Sequence, residues 1–144
     1  MATITEDYVS FETAKLLKEK GFNEACDKKY FGDDCSGPSY IREHWEDGGG
    51  VSPMSNSDLD DGSKYADISA PTLQMTMKWL REKHNIVVEP FIREGAEYVW
   101  FIHRIETMFN KKYLVFCWGS KNTKYERYEQ ACEAAINYCL KNLI

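Results

Sequence analysis

Three strand-like runs, joined by linkers of hairpin length and flanked by two amphipathic helical patterns, constrain this chain more than any other feature. Residues 85–92 set Ile86, Val88, Pro90 and Ile92 against Val87, Glu89 and Phe91. Residues 97–107 alternate Val99, Phe101, His103 and Ile105 with Tyr98, Trp100, Ile102 and Arg104. Residues 112–118 are nearly all apolar. A period of two is the signature of a strand, whose successive side chains point to opposite faces. The linkers Arg93-Glu94-Gly95-Ala96 and Met108-Phe109-Asn110-Lys111 are short enough to predict an antiparallel meander. Pro90 has no amide to donate, which places its run at a sheet edge or a strand end.

Helical signals bracket the meander. Ser69-Ala70-Pro71 reads as a helix start, with a hydroxyl cap followed by proline in the first turn. Leu73, Met77, Leu80 and His84 then recur at helical spacing to about residue 83, with Thr76 and Trp79 beside them. Residues 127–143 carry an apolar stripe of Tyr128, Ala131, Cys132, Ala135, Cys139 and Leu143, widened by Ile136 and Leu140. Near the start, Ser10 caps a helix over 10–20 whose stripe is Phe11, Ala14 and Leu17, and Gly21 ends it in the left-handed conformation. The predicted class is α+β: an α-β-β-β-α core over 69–144, a helix within 8–22, and an irregular segment over 23–68, all in one domain of residues 1–144.

In that irregular segment Lys29–Phe31 and Ser39–Trp45 have the aromatic content of short strands. Residues 46–67 hold few apolar anchors among many Gly, Pro, Ser and Asp, and predict a long exposed loop, mobile over 46–63. Aromatic bulk on both faces of the meander calls for a second cover, from the aromatic-rich residues 8–45 or from a partner.

A chain of 144 residues, 43% apolar and 28% charged, folds without a metal or disulfide staple. Its start lacks a basic region and an apolar core, and no apolar run reaches the ~18 residues of a membrane span, so the expectation is a cytoplasmic protein without a membrane partner. Five cysteines cannot all pair internally, and in a reducing compartment they are expected as free thiols. Cys26, Cys35 and His44, with Asp27, Asp33 and Asp34 nearby, form a C-x8-C-x8-H cluster, but structural zinc sites carry ligand pairs two to four residues apart. No metal and no cofactor are therefore expected.

Catalytic patterns are absent: there is no HExxH, GxSxG, phosphate-binding loop or GxGxxG. Gly48-Gly49-Gly50 lacks the following Lys-Ser/Thr and helix. Asp58, Asp60, Asp61 and Gly62 lack the closing glutamate of a calcium loop. The net charge of −5 is split, with 7 Lys/Arg against 15 Asp/Glu in residues 1–68 (−8) and 11 against 8 in residues 69–144 (+3). An acidic front half argues against general nucleic-acid coating. A local basic patch remains as the alternative. The α-β-β-β-α order is that of double-stranded-RNA-binding domains, and Lys111 and Lys112 on the last hairpin, with Lys121, Lys124 and Arg127 before the last helix, are its candidate phosphate contacts.

Three segments also carry a resemblance: Val9–Leu17; Ser69–Met75 with Met77–Arg81; and Tyr128–Ile136. They resemble small phage and prophage proteins of gut bacteria, and are similar to the phage ABA sandwich domain family. The likeness covers about residues 8–22 and 69–144. It implies a compact α/β domain of mobile-element origin, and it carries over no activity and no catalytic residues. The expectation from these readings together is a non-enzymatic accessory or interaction protein with an unidentified protein partner.

Overall fold

Ser10 holds an extended conformation, and its Oγ accepts from the Thr13 N–H at 3.3 Å, starting helix α1 (Phe11–Glu19). The helix ends as its sequence predicts. Gly21, at φ 88°, turns the chain so that the Phe22 N–H reaches the Leu17 carbonyl at 2.9 Å. A computed structural model describes residues 3–32, 34–41, 50–120 and 123–144, with the backbone alone for residues 34–36, 116 and 117. The chain divides into two compact units, Met1–Thr72 and Leu73–Ile144. Its class is α+β, with two three-stranded antiparallel sheets among the described residues.

In the first unit β1 (Lys28–Phe31) is the centre of a small sheet, between β2 (Asp34–Tyr40) and β3 (Ile68–Ser69). Tyr30 packs edge-on against Phe11 and donates its hydroxyl to the Val9 carbonyl at 2.7 Å, which ties the sheet to the start of α1. The Lys28 ammonium lies 4.4 Å from the ring centroids of both Tyr8 and Tyr40. Of the second predicted strand, residues 39–45, Ser39 and Tyr40 fall in β2, which starts earlier at Asp34, and residues 42–45 lie outside the described residues.

The described part of the loop expected over 46–67, residues 50–67, is exposed over most of its length and is held by local anchors and one short helix. Met54 and Cys26 exchange both backbone hydrogen bonds, at 2.9 and 3.0 Å. Ser55 and Asp58 cap the short helix α2 (Asn56–Leu59) reciprocally. The Asn56 side chain is buried, donating to the Phe22 carbonyl at 2.8 Å and accepting from the Ser69 N–H at 2.9 Å. Gly32 lies so close to this segment that a Cβ there would stand 2.0 Å from the Tyr65 carbonyl oxygen. Polar anchors hold what apolar content would not.

The second unit contains α3 (Leu73–His84), β4 (Ile86–Arg93), β5 (Glu97–Met108), β6 (Lys111–Gly119) and α4 (Tyr128–Asn142). The predicted helix start at Ser69-Ala70-Pro71 is too early. Ser69 is a strand residue paired with Lys29, and the Pro71 carbonyl accepts from the Val9 N–H, so sheet pairing overrides the local cap signal. The meander is as expected, in order β4-β5-β6, with Pro90 on an edge strand. Ile86, Val88, Trp100 and Ile102 share one face through the pairs Val88↔Ile102 and Pro90↔Trp100. They are buried with Leu73, Met77 and Leu80 of α3, and with Ala131, Ala135, Ile136 and Leu140 of α4. On the other face His103 Nε2 meets Glu89 Oε2 at 3.1 Å, and the Phe101 ring covers Gly119.

Candidate interaction site

The edge strand β4 runs out before the other two strands of the meander. β4 begins at Ile86, opposite Arg104, and its last backbone bond to β5 joins the Ile105 N–H to the Asn85 carbonyl at 2.9 Å. The helix layer stops at the same level, where the Arg104 Nη2 donates to the carbonyl of Leu143, the residue that closes α4, at 2.7 Å. Residues 106–113 therefore continue as a two-stranded arm, reaching roughly 10 Å beyond the sheet at ~3.3 Å per residue. A slip in register between Arg104 and Ile105 marks its root.

The arm is built against the usual surface rules. Met108 and Lys111 close a two-residue turn whose central residues, Phe109 and Asn110, take φ 50° and 61°. Positive φ at both positions is the hairpin-compatible geometry, normally served by Asn, Asp or Gly. A phenylalanine there carries left-handed strain of order 1 kcal/mol. It is also 94% exposed. Met108, Tyr113, Leu114 and Val115 are exposed beside it. Strain and exposed apolar area coincide at this one tip. The sequence carried this signal as a bulky apolar residue in a turn, and the turn reading alone passed over it.

The basic residues proposed for phosphate contact are not brought together. Lys111 and Lys112 stand at the tip end of β5–β6, opposite Met108 and Thr107. Lys124 stands at the other end of β5, where Tyr125 pairs with Tyr98 and the Lys124 Nζ meets Glu97 Oε2 at 2.8 Å. Eleven residue steps along a strand separate the two ends, roughly 35 Å. Arg127 precedes α4, with its Nε 3.7 Å from Glu129 Oε2. Lys121 lies outside the described residues. The single patch imagined along the sequence is two separated groups, and in the second both described cations are paired with carboxylates.

The remaining candidates are occupied by the fold. Cys26 is buried, and burial pushes its thiol up to about 12. The side chain of Cys35, and His44 with Asp33, lie outside the description. Cys132 and Cys139 are core thiols on α4, raised by burial to about 11 and about 12. The Asp58 carboxyl is held below its usual range by the Ser55 N–H, and that of Asp61 by Ser63, while Asp60 accepts from the Gly62 N–H at 2.9 Å. These carboxylates serve their own backbone. An open cleft of about 330 Å³ between α1 and α2 is lined by Lys18, Phe22, Asn23, Asn56, Ser57 and Asp60. Its amides are already engaged, Asn56 as above and Asn23 by the Ser57 N–H at 2.7 Å.

Among the described residues no group of three His, Cys, Asp or Glu side chains is gathered as a metal site, and no helix is long and apolar enough to cross a membrane. Compared with protein-family models, curated proteins and solved structures, the chain matches none.

Proposed function

We propose that this chain is a cytoplasmic, non-enzymatic accessory protein of phage or prophage origin that works by docking another protein on the β5–β6 arm. One observation carries the docking: Phe109, fully presented at the end of a two-stranded projection, in a backbone conformation that disfavours it. An exposed aromatic with apolar neighbours is the kind of anchor that dominates protein interfaces, because it brings large apolar area at little loss of side-chain freedom. The origin rests on the sequence resemblance alone. The test places a photo-crosslinking amino acid at position 109 and, as control, at the exposed Lys78 on α3, in the cells that make the protein. A defined protein adduct at 109, absent at 78 and lost on Leu114→Ser, is the expected result. Identical adducts at both positions, or none at 109, would refute it.

A further inference from the structure

We propose that the outer edge of β6, along the arm, accepts an extended polypeptide segment as an added antiparallel strand, and that this segment ends in carboxylates beside Lys111 and Lys112. The inference rests on the protein-docking reading and names the chemistry of the partner.

Backbone parity identifies the open groups. The Ser120 N–H bonds to the Trp100 carbonyl at 3.0 Å, and the Ile105 N–H to the Asn85 carbonyl at 2.9 Å. Even-numbered residues of β5 therefore turn their backbone groups toward β6, and odd-numbered ones toward β4. Through the pairs Met108↔Lys111, Glu106↔Tyr113, Arg104↔Phe116 and Ile102↔Trp118, those four β6 residues bond inward. Lys112 and Leu114 bond outward. Among the described residues nothing pairs with that side of β6. An open edge with Tyr113, Leu114 and Val115 exposed along it is a template for a further strand.

Charge selects the occupant. Lys111 and Lys112 stand side by side at the start of this edge, exposed, and form no ion pair among the described residues. An added antiparallel strand lays its C-terminal end against the N-terminal end of β6, where these two lysines stand. A second copy of β6 would bring Phe116–Gly119 to that place, a run without a carboxylate. An apolar segment with an acidic end complements the edge; another β6 does not.

The probe is an eight-residue blocked peptide of alternating valine and threonine ending in two glutamates, titrated against the whole protein by NMR beside a counterpart ending in two lysines. The expected result is that the acidic peptide shifts the amides of Lys112 and Leu114 and binds about tenfold more tightly than the basic one, the worth of two exposed ion pairs. Leu114→Pro removes an outward donor while leaving the inward bonds to β5, and should abolish binding. The pair Lys111→Glu and Lys112→Glu keeps every donor and should reverse the peptide preference. No binding at millimolar peptide, equal binding of the two peptides, or a dimer in sedimentation that Leu114→Pro dissolves would overturn the proposal. If the adduct at position 109 persists while the acidic peptide fails, the docking reading stands and the edge assignment falls.

Discussion

Replacing Asn56 by alanine tests whether polar anchoring orders residues 50–67. The side chain makes two buried hydrogen bonds, donating to the Phe22 carbonyl at 2.8 Å and accepting from the Ser69 N–H at 2.9 Å. Phe22 and Ser69 are each 1% exposed, so water cannot replace the lost partner. Losing a buried hydrogen bond to a backbone group costs about 1–3 kcal/mol, and two are lost here. The expected loss is about 3 kcal/mol, a large part of the 5–15 kcal/mol that stabilises an ordinary domain. In urea unfolding this appears as a lower midpoint with an unchanged slope. In hydrogen exchange the Ser69 amide should lose about a hundredfold in protection, since each 1.4 kcal/mol is a factor of ten. Asn56→Asp should be worse at neutral pH, because an ionised oxygen then faces the Phe22 carbonyl. Its folded pKa would be raised above the unfolded value of about 3.9, so the penalty is present above that value and disappears as the pH falls below it. A loss under about 0.5 kcal/mol for Asn56→Ala would refute the reasoning and return residues 50–67 to an unanchored loop.

Two further outcomes follow from the turn and the thiols. Phe109→Asn should stabilise the fold by about 1 kcal/mol, read as a raised melting temperature, because asparagine tolerates the left-handed conformation that Phe109 holds at φ 50°. Destabilisation would show that the ring contributes to the fold rather than to a partner. Cys26, Cys132 and Cys139, with thiols at about 12, 11 and 12, should resist a thiol reagent at neutral pH until the protein unfolds. Because these folded pKa values lie above the unfolded value of about 8.5, stability should hold below that pH and fall as the pH rises from there toward 12. Rapid labelling of any of the three in the native protein, mapped by mass spectrometry, would contradict their burial.

The elements whose signals are local were legible in the amino-acid order. Ser10 and Gly21 bound α1, alternation of faces defined β4 and β5, and small apolar residues at helical spacing defined α4. Caps, periodicity and turn geometry act between residues a few positions apart, and a linear reading sees such forces directly. Tertiary structure decided what depends on distant partners. Ser69 has the chemistry of a helix cap, yet pairing with Lys29 makes it a strand residue. Asn56 reads as loop, yet Phe22 and Ser69, remote along the chain, draw it into the interior. Lys111, Lys112 and Lys124 are neighbours in sequence, yet the hairpin sets them at opposite ends of β5. The candidate site followed the same division. A phenylalanine beside an asparagine predicts a turn, but only the early end of β4 and the closing of α4 at Arg104 leave that turn standing clear of the sheet. Local chemistry chose the elements, and contacts across long stretches of chain chose which of their surfaces are left for a partner.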